Sequence, residues 1–323
     1  MKTAIIVARD NAYGLSQDSG LLMAALESQG FEVETVTPKR GLLARFVPFL
    51  SRTRRVDIVF HLERAFPAWF PAGTANLLIP NQERFPERHL ARLKRIDLVL
   101  AKSRHAEAIF SRLGVPTAFT GFATPDRHLP GVLKNWHRFF HLAGGSTLKG
   151  TEEILALWHK NPHWPELVLV QKAANAPTRV PDNVTLVSGY LAEADLRRLQ
   201  NQCGIHLCPS RSEGWGHYIL EAMSCGALVV TTDAPPMNEL VTPQTGRLVA
   251  WSRTEPRHLG TNFHVDRTAL ESTIEALLAT SGADLAAIGD RARDSALLHQ
   301  QTFPSRLAAA LAAHFGPVTG ATP

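Results

Sequence analysis

Two glutamates eight residues apart, Glu213 and Glu221, enclose Gly214, Trp215 and Gly216 and open an apolar helical run. Carboxylates accept hydrogen bonds from hydroxyl groups. Glycines at 214 and 216 let the backbone come close to a ligand. Where such a loop opens a helix, the first amides lack partners inside the helix and the helix dipole favours an anion. The segment therefore offers amides to a phosphate group and carboxylates to hydroxyls at two distances. Glu213 stands in the loop, and Glu221 stands about two turns into the helix. The plain alternative is a pair of glutamates on a solvated helix face.

A second candidate element lies upstream. Gly144, Gly145 and Ser146 follow an apolar run at 139–143, and Lys149 and Gly150 lead into a helical stretch whose expected cap is Thr151. A lysine there is a point charge able to neutralise a diphosphate. Gly189 and Tyr190 close another short apolar run at 184–187, and Glu239 follows a later one.

These pieces resemble, in order, the glutamate–seven residues–glutamate signature of retaining GT-B glycosyltransferases. That group includes bacterial glycogen synthase and phosphatidylinositol mannosyltransferases. The matching residues are Glu213, Gly214, Trp215 and Gly216, then Leu220, Glu221, Ala222 and Met223, then 226–230, with His141 to Gly150 and Val184 to Tyr190 before them. The second half of the chain carries the resemblance well, the first half weakly. It implies two Rossmann-like α/β domains whose parallel sheets face a central cleft. It implies a donor sugar against Glu213, ribose hydroxyls on Glu221, diphosphate on Lys149 and a base beside Gly189 and Tyr190. Gly144, Ser146, Arg211, Gly214, Trp215 and Gly216 then line the nucleotide. The donor expected is a nucleotide-diphosphate sugar such as a UDP-sugar, bound as substrate rather than cofactor.

The sequence departs from this pattern at three places. Gly144 stands where the family often has an arginine, with Lys172 or Arg211 as replacements. The N-terminal double-glycine loop is reduced to Gly14. The acceptor-side histidine is missing after the run at 76–79, where Asn81, Gln82 and Glu83 stand instead. His61, ending the preceding run, either substitutes for it catalytically or is a packed core residue. The chain has no Asp-x-Asp pair. Glycosyltransferases of the other major fold commonly hold Mg²⁺ or Mn²⁺ with such a pair, because hard cations want oxygen ligands. No metal and no cofactor are therefore expected.

The positioning elements follow from hydrophobic pattern. Short apolar runs at 3–8, 31–36, 56–61, 76–79 and 96–101 alternate with helical spacing, as in 21–28, and argue for a parallel α/β sheet. A second series runs 139–143, 167–170, 184–187, 205–208 and 227–231, with helices at 151–159 and around Glu221. Three helical stretches are expected to close the chain, the last over 304–315. A turn-rich break at 125–135 reads as a linker. The expected domains are 1–130 for the acceptor, 131–302 for the donor, and 303–323 as a helix returning toward the first domain with a disordered tail.

The chain has 323 residues, 45% of them hydrophobic and 20% charged, and a formal charge of +5. That is a globular composition with room for two domains. No run of apolar residues is long enough for a transmembrane helix, and Arg9 and Asp10 cut the first apolar stretch too early for a signal core. Cys203, Cys208 and Cys225 are odd in number and lack metal-ligand spacing, so buried thiols in a reducing cytoplasm are expected.

Charge is uneven. Between Lys39 and Arg112 there are fifteen Lys or Arg and six Asp or Glu; from Gly131 onward there are sixteen and seventeen. A one-sided basic surface suits a polyanion, or is simply solvated. Arg84, Arg88, Arg92 and Arg95 form one stripe if Pro86 starts a helix. A second patch, from Arg40 to Arg55, interleaves cations with apolar residues. The first expected acceptor is an envelope glycan or lipid reached from the inner membrane face. The alternative is duplex DNA carrying hydroxymethylated pyrimidines, whose base would be flipped into the cleft. A second alternative is a non-catalytic sugar-nucleotide-binding module.

Overall fold

Continuous apolar runs form strands buried on both faces, as parallel sheets require. The computed structural model describes residues 2–9, 14–38, 55–189 and 191–316. The loop at 11–13, the basic patch at 40–54, Tyr190 and the tail 317–323 lie outside the described residues. The chain divides into two units. Unit 1 is Met1–Ala123, Arg257–Gly260 and Gln300–Pro323; unit 2 is Thr124–Pro256 and Thr261–His299.

Unit 1 is built on strands β1 (Lys2–Val7), β2 (Phe31–Val36), β3 (Val56–Glu63), β4 (Gly73–Pro80), β5 (Leu98–Ala101) and β6 (Thr117–Phe119), with helices α1 (Gly14–Glu27) and α2 (Arg104–Arg112). The sheet order is β2-β1-β3-β4-β5-β6 and every pairing is parallel. The chain runs from β1 to one edge, then returns to β3 on the other side of β1. The strand order thus reverses between β1 and β3, the kind of point where open α/β sheets bind ligands at their carboxyl ends. Phe85, Phe110, Leu78 and Val99 form one core cluster, with Phe85 and Phe110 edge to face at 5.5 Å.

Unit 2 repeats the scheme. Strands β7 (Asn135–Gly144), β8 (Leu167–Gln171), β9 (Val184–Ser188), β10 (Cys203–Cys208), β11 (Leu228–Thr232) and β12 (Gly246–Val249) pair in the order β12-β11-β10-β7-β8-β9, all parallel. Its helices are α3 (Thr151–Lys160), α4 (Glu193–Gln202), α5 (His217–Ser224), α6 (Met237–Leu240) and α7 (Arg267–Leu278). Here the order reverses between β7 and β10. Trp158 anchors the core: its ring meets Phe139 at 5.1 Å and Trp164 at 5.0 Å, and its indole N–H donates to Pro165 O. Truncating such a buried aromatic costs about 3–5 kcal/mol.

Four local expectations are corrected. Thr151 does not cap α3; Gly150 does, in the left-handed conformation at φ 71°, and the Thr151 hydroxyl turns to the His141 ring. Among the described residues the chain closes with two helices after β12, not three: α7, then α8 (Gly282–Phe315), 34 residues long with Pro304 inside it. Phe303, Leu307 and Leu311 around that proline are buried, and the core they fill outweighs the backbone hydrogen bond the proline loses. A two-stranded ribbon, β13 (Trp251–Arg257) and β14 (Gly260–Val265), was not expected at all.

The fourth correction is the arginine stripe. Residues Glu87–Arg95 are 3₁₀-helical, and Arg84 belongs to a separate 3₁₀ turn, Gln82–Arg84. Three residues per turn breaks a four-residue spacing. Arg92 accordingly turns inward and donates to Ala65 O at 3.0 Å, while Arg84, Arg88 and Arg95 are exposed.

Candidate active site

The reversal point of unit 2 brings two loops together. The loop after β7 carries Lys149; the loop after β10 carries Glu213. Lys149 Nζ lies 2.6 Å from Glu213 Oε1, both side chains being largely but not fully covered. The loops are fastened by backbone: Arg211 N–H donates to Leu148 O at 2.8 Å. Gly150 makes the approach possible. A Cβ there would stand 2.4 Å from Pro209 O, on a residue already at φ +71°.

A relay of hydroxyls supports the carboxylate. Ser210 Oγ donates to Glu213 Oε1 at 2.5 Å, which leaves the Tyr218 hydroxyl as donor to Ser210 Oγ. Tyr218 is raised well above the ordinary phenol range, by burial first and then by Cys208 and Glu213, so it keeps its proton. Its ring faces Lys149 Nζ at 3.4 Å from the centroid, a cation–π contact that fixes the ammonium from the other side. Neither Ser210 nor Tyr218 was singled out from sequence. Their roles depend on how two loops meet, although both lie in the segment that drew attention.

Helix α5 begins at Gly216, in the left-handed conformation at φ 102°, with no side chain capping it. Its first amides lie next to the Glu213 loop. Glu221 sits on the same helix, and its Oε2 accepts from Gln200 Nε2 of α4 at 3.3 Å. His217, at the first position, is bonded through Nδ1 to Thr124 Oγ1 at 2.9 Å. Trp215 is buried and meets the His299 ring at 5.5 Å. Ser146 Oγ accepts from Leu148 N–H and stiffens the glycine loop. Gly144 and Gly189 both have positive φ, at the ends of β7 and β9.

His141 supports this loop from beneath. It is fully buried, donates through Nδ1 to Leu207 O at 2.7 Å, and accepts the Thr151 hydroxyl at Nε2. Burial lowers its pKa to about 4, so the ring is neutral at pH 7.

The two candidates for the missing arginine separate. Arg211 is held by Glu152 and Glu153, both at 2.9 Å. Lys172 instead lies along the glycine loop, its N–H donating to Gly144 O and its side chain beside Gly145. Of the two, Lys172 is the one whose backbone and aliphatic stem border the glycine loop.

In unit 1, His61 is a core residue. It is completely buried, Nε2 donates to Asn76 Oδ1 at 3.0 Å, and Nδ1 accepts from Phe66 N–H at 3.2 Å. Burial lowers its pKa to about 4. Both ring nitrogens are used, which leaves it nothing to offer a reacting hydroxyl. Gly14 is the first residue of α1, on the carboxyl side of β1. Among the described residues no group of three or more His, Cys, Asp or Glu side chains could hold a metal ion, and no helix is long and apolar enough to cross a membrane.

Residues 176–256 match the family model described as glycosyl transferases group 1. The matched stretch contains Gly189, Arg211, Glu213, Gly214, Trp215, Gly216 and Glu221; Lys149 lies before it. The chain has the GT-B fold. A glycosyltransferase from Rickettsia africae ESF-5 superposes with a TM-score of 0.71 at 16% identity, over 99% of each chain. Sucrose-phosphate synthase from Thermosynechococcus elongatus gives 0.71 at 16%, over 98% of this chain and 99% of that one. Alr3699/HepE from Anabaena, in complex with UDP and glucose, gives 0.70 at 17%, over 97% and 100%. No curated protein matches the sequence. At these identities the superpositions speak for the GT-B fold, and the chemistry rests on the site itself.

Proposed function

We propose that the protein is a retaining glycosyltransferase that moves a sugar from a nucleotide-diphosphate donor to an acceptor hydroxyl without a metal ion. The observation that carries this reading is the Lys149–Glu213 pair at 2.6 Å beside the uncapped start of α5. It supplies a cation and amides for a diphosphate and a carboxylate for the adjoining sugar. The UDP and glucose bound by Alr3699/HepE make a UDP-sugar the first donor to test.

In this mechanism the diphosphate rests against Lys149 and the first amides of α5, with Lys172 as the second cation. Glu213 receives the sugar hydroxyls and Glu221 the ribose. The anomeric carbon–oxygen bond breaks and its electron pair passes to the diphosphate oxygen, where fixed positive charge stabilises it. The acceptor oxygen attacks from the same face, and its proton goes to the departing diphosphate. Retention follows from that same-face attack. The positive excess of the first half favours an anionic acceptor or one held on an anionic surface.

The test is nucleoside-diphosphate release from a panel of nucleotide sugars, with and without EDTA. The acceptor pools are anionic lipids, envelope glycans and hydroxymethylated DNA. Acceptor-dependent release that survives EDTA supports the reading. Donor binding without release from any pool replaces it with a sugar-nucleotide-binding module.

A further inference from the structure

The turn-rich stretch after residue 125 is bonded firmly to unit 2, to which it belongs. Arg197 Nε of α4 donates to Arg127 O at 2.9 Å, and Asn201 Nδ2 donates to the same oxygen at 2.8 Å. The Asp126 carboxylate takes two bonds from Arg293, at 2.9 and 3.0 Å. The backbone at 126–127 is thus a fixed platform, and the Arg127 side chain leaves it from a set position.

Arg127 reaches Glu221 by two routes. Its Nε donates to Gln200 Oε1 at 2.8 Å, and Gln200 Nε2 donates to Glu221 Oε2 at 3.3 Å. Its backbone N–H donates to Ser224 Oγ at 3.0 Å, and Ser224 Oγ donates to Glu221 O at 2.8 Å. One route holds the carboxylate of Glu221, the other its place on α5. Gln200 is itself fully buried, and its backbone oxygen accepts from His206 Nε2 at 2.9 Å. The Arg127 guanidinium is paired in turn with Glu193, in the first turn of α4.

The order of these groups has a chemical reason. A guanidinium only donates, so the carbonyl end of Gln200 must face it and the amino end must face Glu221. Turned the other way, the amide would set oxygen against carboxylate and N–H against guanidinium. Buried groups mismatched in this way are costly, so Arg127 locks the sense of the amide. An arginine touching Glu221 directly would fork onto the carboxylate and cancel its charge. A neutral amide orders the carboxylate and leaves it negative, the state that binds hydroxyl groups most strongly.

We propose that Gln200, oriented by Arg127, is a positioning residue for Glu221, and that this relay sets how strongly the site prefers a ribonucleotide to one lacking the ribose hydroxyls. The inference rests on the reading of Glu221 as the ribose carboxylate. Gln200 acts through Glu221 rather than on the substrate.

The experiment is calorimetric titration of the full chain. UDP, ADP and GDP are screened on wild type, and the tightest is compared with its 2′,3′-dideoxy counterpart. The quantity read is the ratio of the two Kd values in wild type, Glu221→Gln, Gln200→Met, Arg127→Met and Asp126→Asn, with a thermal midpoint for each. Wild type is expected to prefer the ribonucleotide about ten-fold or more, the worth of hydrogen bonds to a charged group. Gln200→Met and Arg127→Met are expected to lower that preference about three-fold or more, by weakening the ribonucleotide while the dideoxy analogue binds as before. Asp126→Asn loosens the same backbone without entering the relay, and is expected to lower the midpoint and leave the ratio.

A preference that falls in Glu221→Gln but persists in Gln200→Met and Arg127→Met overturns the positioning role and leaves the ribose reading standing. An equal fall in Asp126→Asn also overturns it, since any loosening of the segment would then suffice. A wild type without preference, or one whose preference survives in Glu221→Gln, overturns the ribose reading and the proposal with it, as does failure of all three nucleotides to bind. Where Gln200→Met does not fold, Arg127→Met decides, because the carboxylate it abandons, Glu193, is exposed to water.

Discussion

Lys149 Nζ and Glu213 Oε1, 64 residues apart in sequence, meet at 2.6 Å because β7 and β10 are neighbours and their loops leave the same end of the sheet. Each charge is the other's counter-ion across the two loops.

Glu213→Gln is expected to lower turnover by about 100-fold or more, the usual cost of losing one preorganised electrostatic group, with UDP affinity changed less than about three-fold. Steady-state kinetics and UDP calorimetry on one preparation check this. A variant with wild-type turnover removes Glu213 from the mechanism.

Gly150→Ala is expected to destabilise the fold by about 3 kcal/mol, from the left-handed backbone and from overpacking against Pro209 O. Gly144→Ala, also at positive φ but with nothing within 4 Å of the added carbon, should cost only about 1–2 kcal/mol. Urea unfolding of the two variants measures the difference. Equal losses would mean the two loops do not press together at Gly150.

Stability is expected to fall with acid before the carboxylates titrate. Burial holds His61, His89 and His141 at about 4 and His206 at about 3, against 6.5 when unfolded. The folded state therefore keeps these rings neutral while the unfolded chain binds protons. Their contribution is fully present above about pH 6.5 and is lost as pH falls from there toward about 4, with up to one proton taken up per ring on unfolding. Urea midpoints at pH 7 and pH 5 test it; a midpoint that does not move would contradict the burial of these histidines.

Lys102 and Asp18 form a buried ion pair at 3.0 Å in unit 1, with Lys102 also 5.3 Å from the Phe122 ring. Lys102→Met should cost about 3–5 kcal/mol because it removes the cation facing a buried carboxylate, and adding Asp18→Leu should recover much of that. A double variant no better than the single would show that the pair's other contacts, not its charge balance, carry the stability.

The sheets were legible because strands buried on both faces read as unbroken apolar runs; 31–36 is matched end to end by β2. The ribbon was not, since after Trp251 its first strand runs through Ser252, Arg253, Thr254 and Glu255, which give no apolar signal. Nor was α8, where a proline that marks a break in isolation is overridden by packing. In the candidate site, Lys149, Glu213 and Glu221 stand out by type and spacing, and of these the structure brings Lys149 and Glu213 together. The Tyr218–Ser210–Glu213 relay does not stand out, because it depends on which loop end faces which. His61, which the sequence leaves open between a catalytic and a core role, has both ring nitrogens taken by Asn76 and Phe66, neighbours that no spacing reveals.

The chain's three cysteines, Cys203, Cys208 and Cys225, are all free, all buried and all in unit 2. Burial pushes Cys203 and Cys225 up to about 12 and Cys208 higher still, so little reactive thiolate forms while the fold is intact. Unit 1 has no thiol at all. The protein thus carries a native reporter of its own breathing: the rate at which an alkylating reagent is consumed counts the opening of one unit only, with no label added and no residue changed.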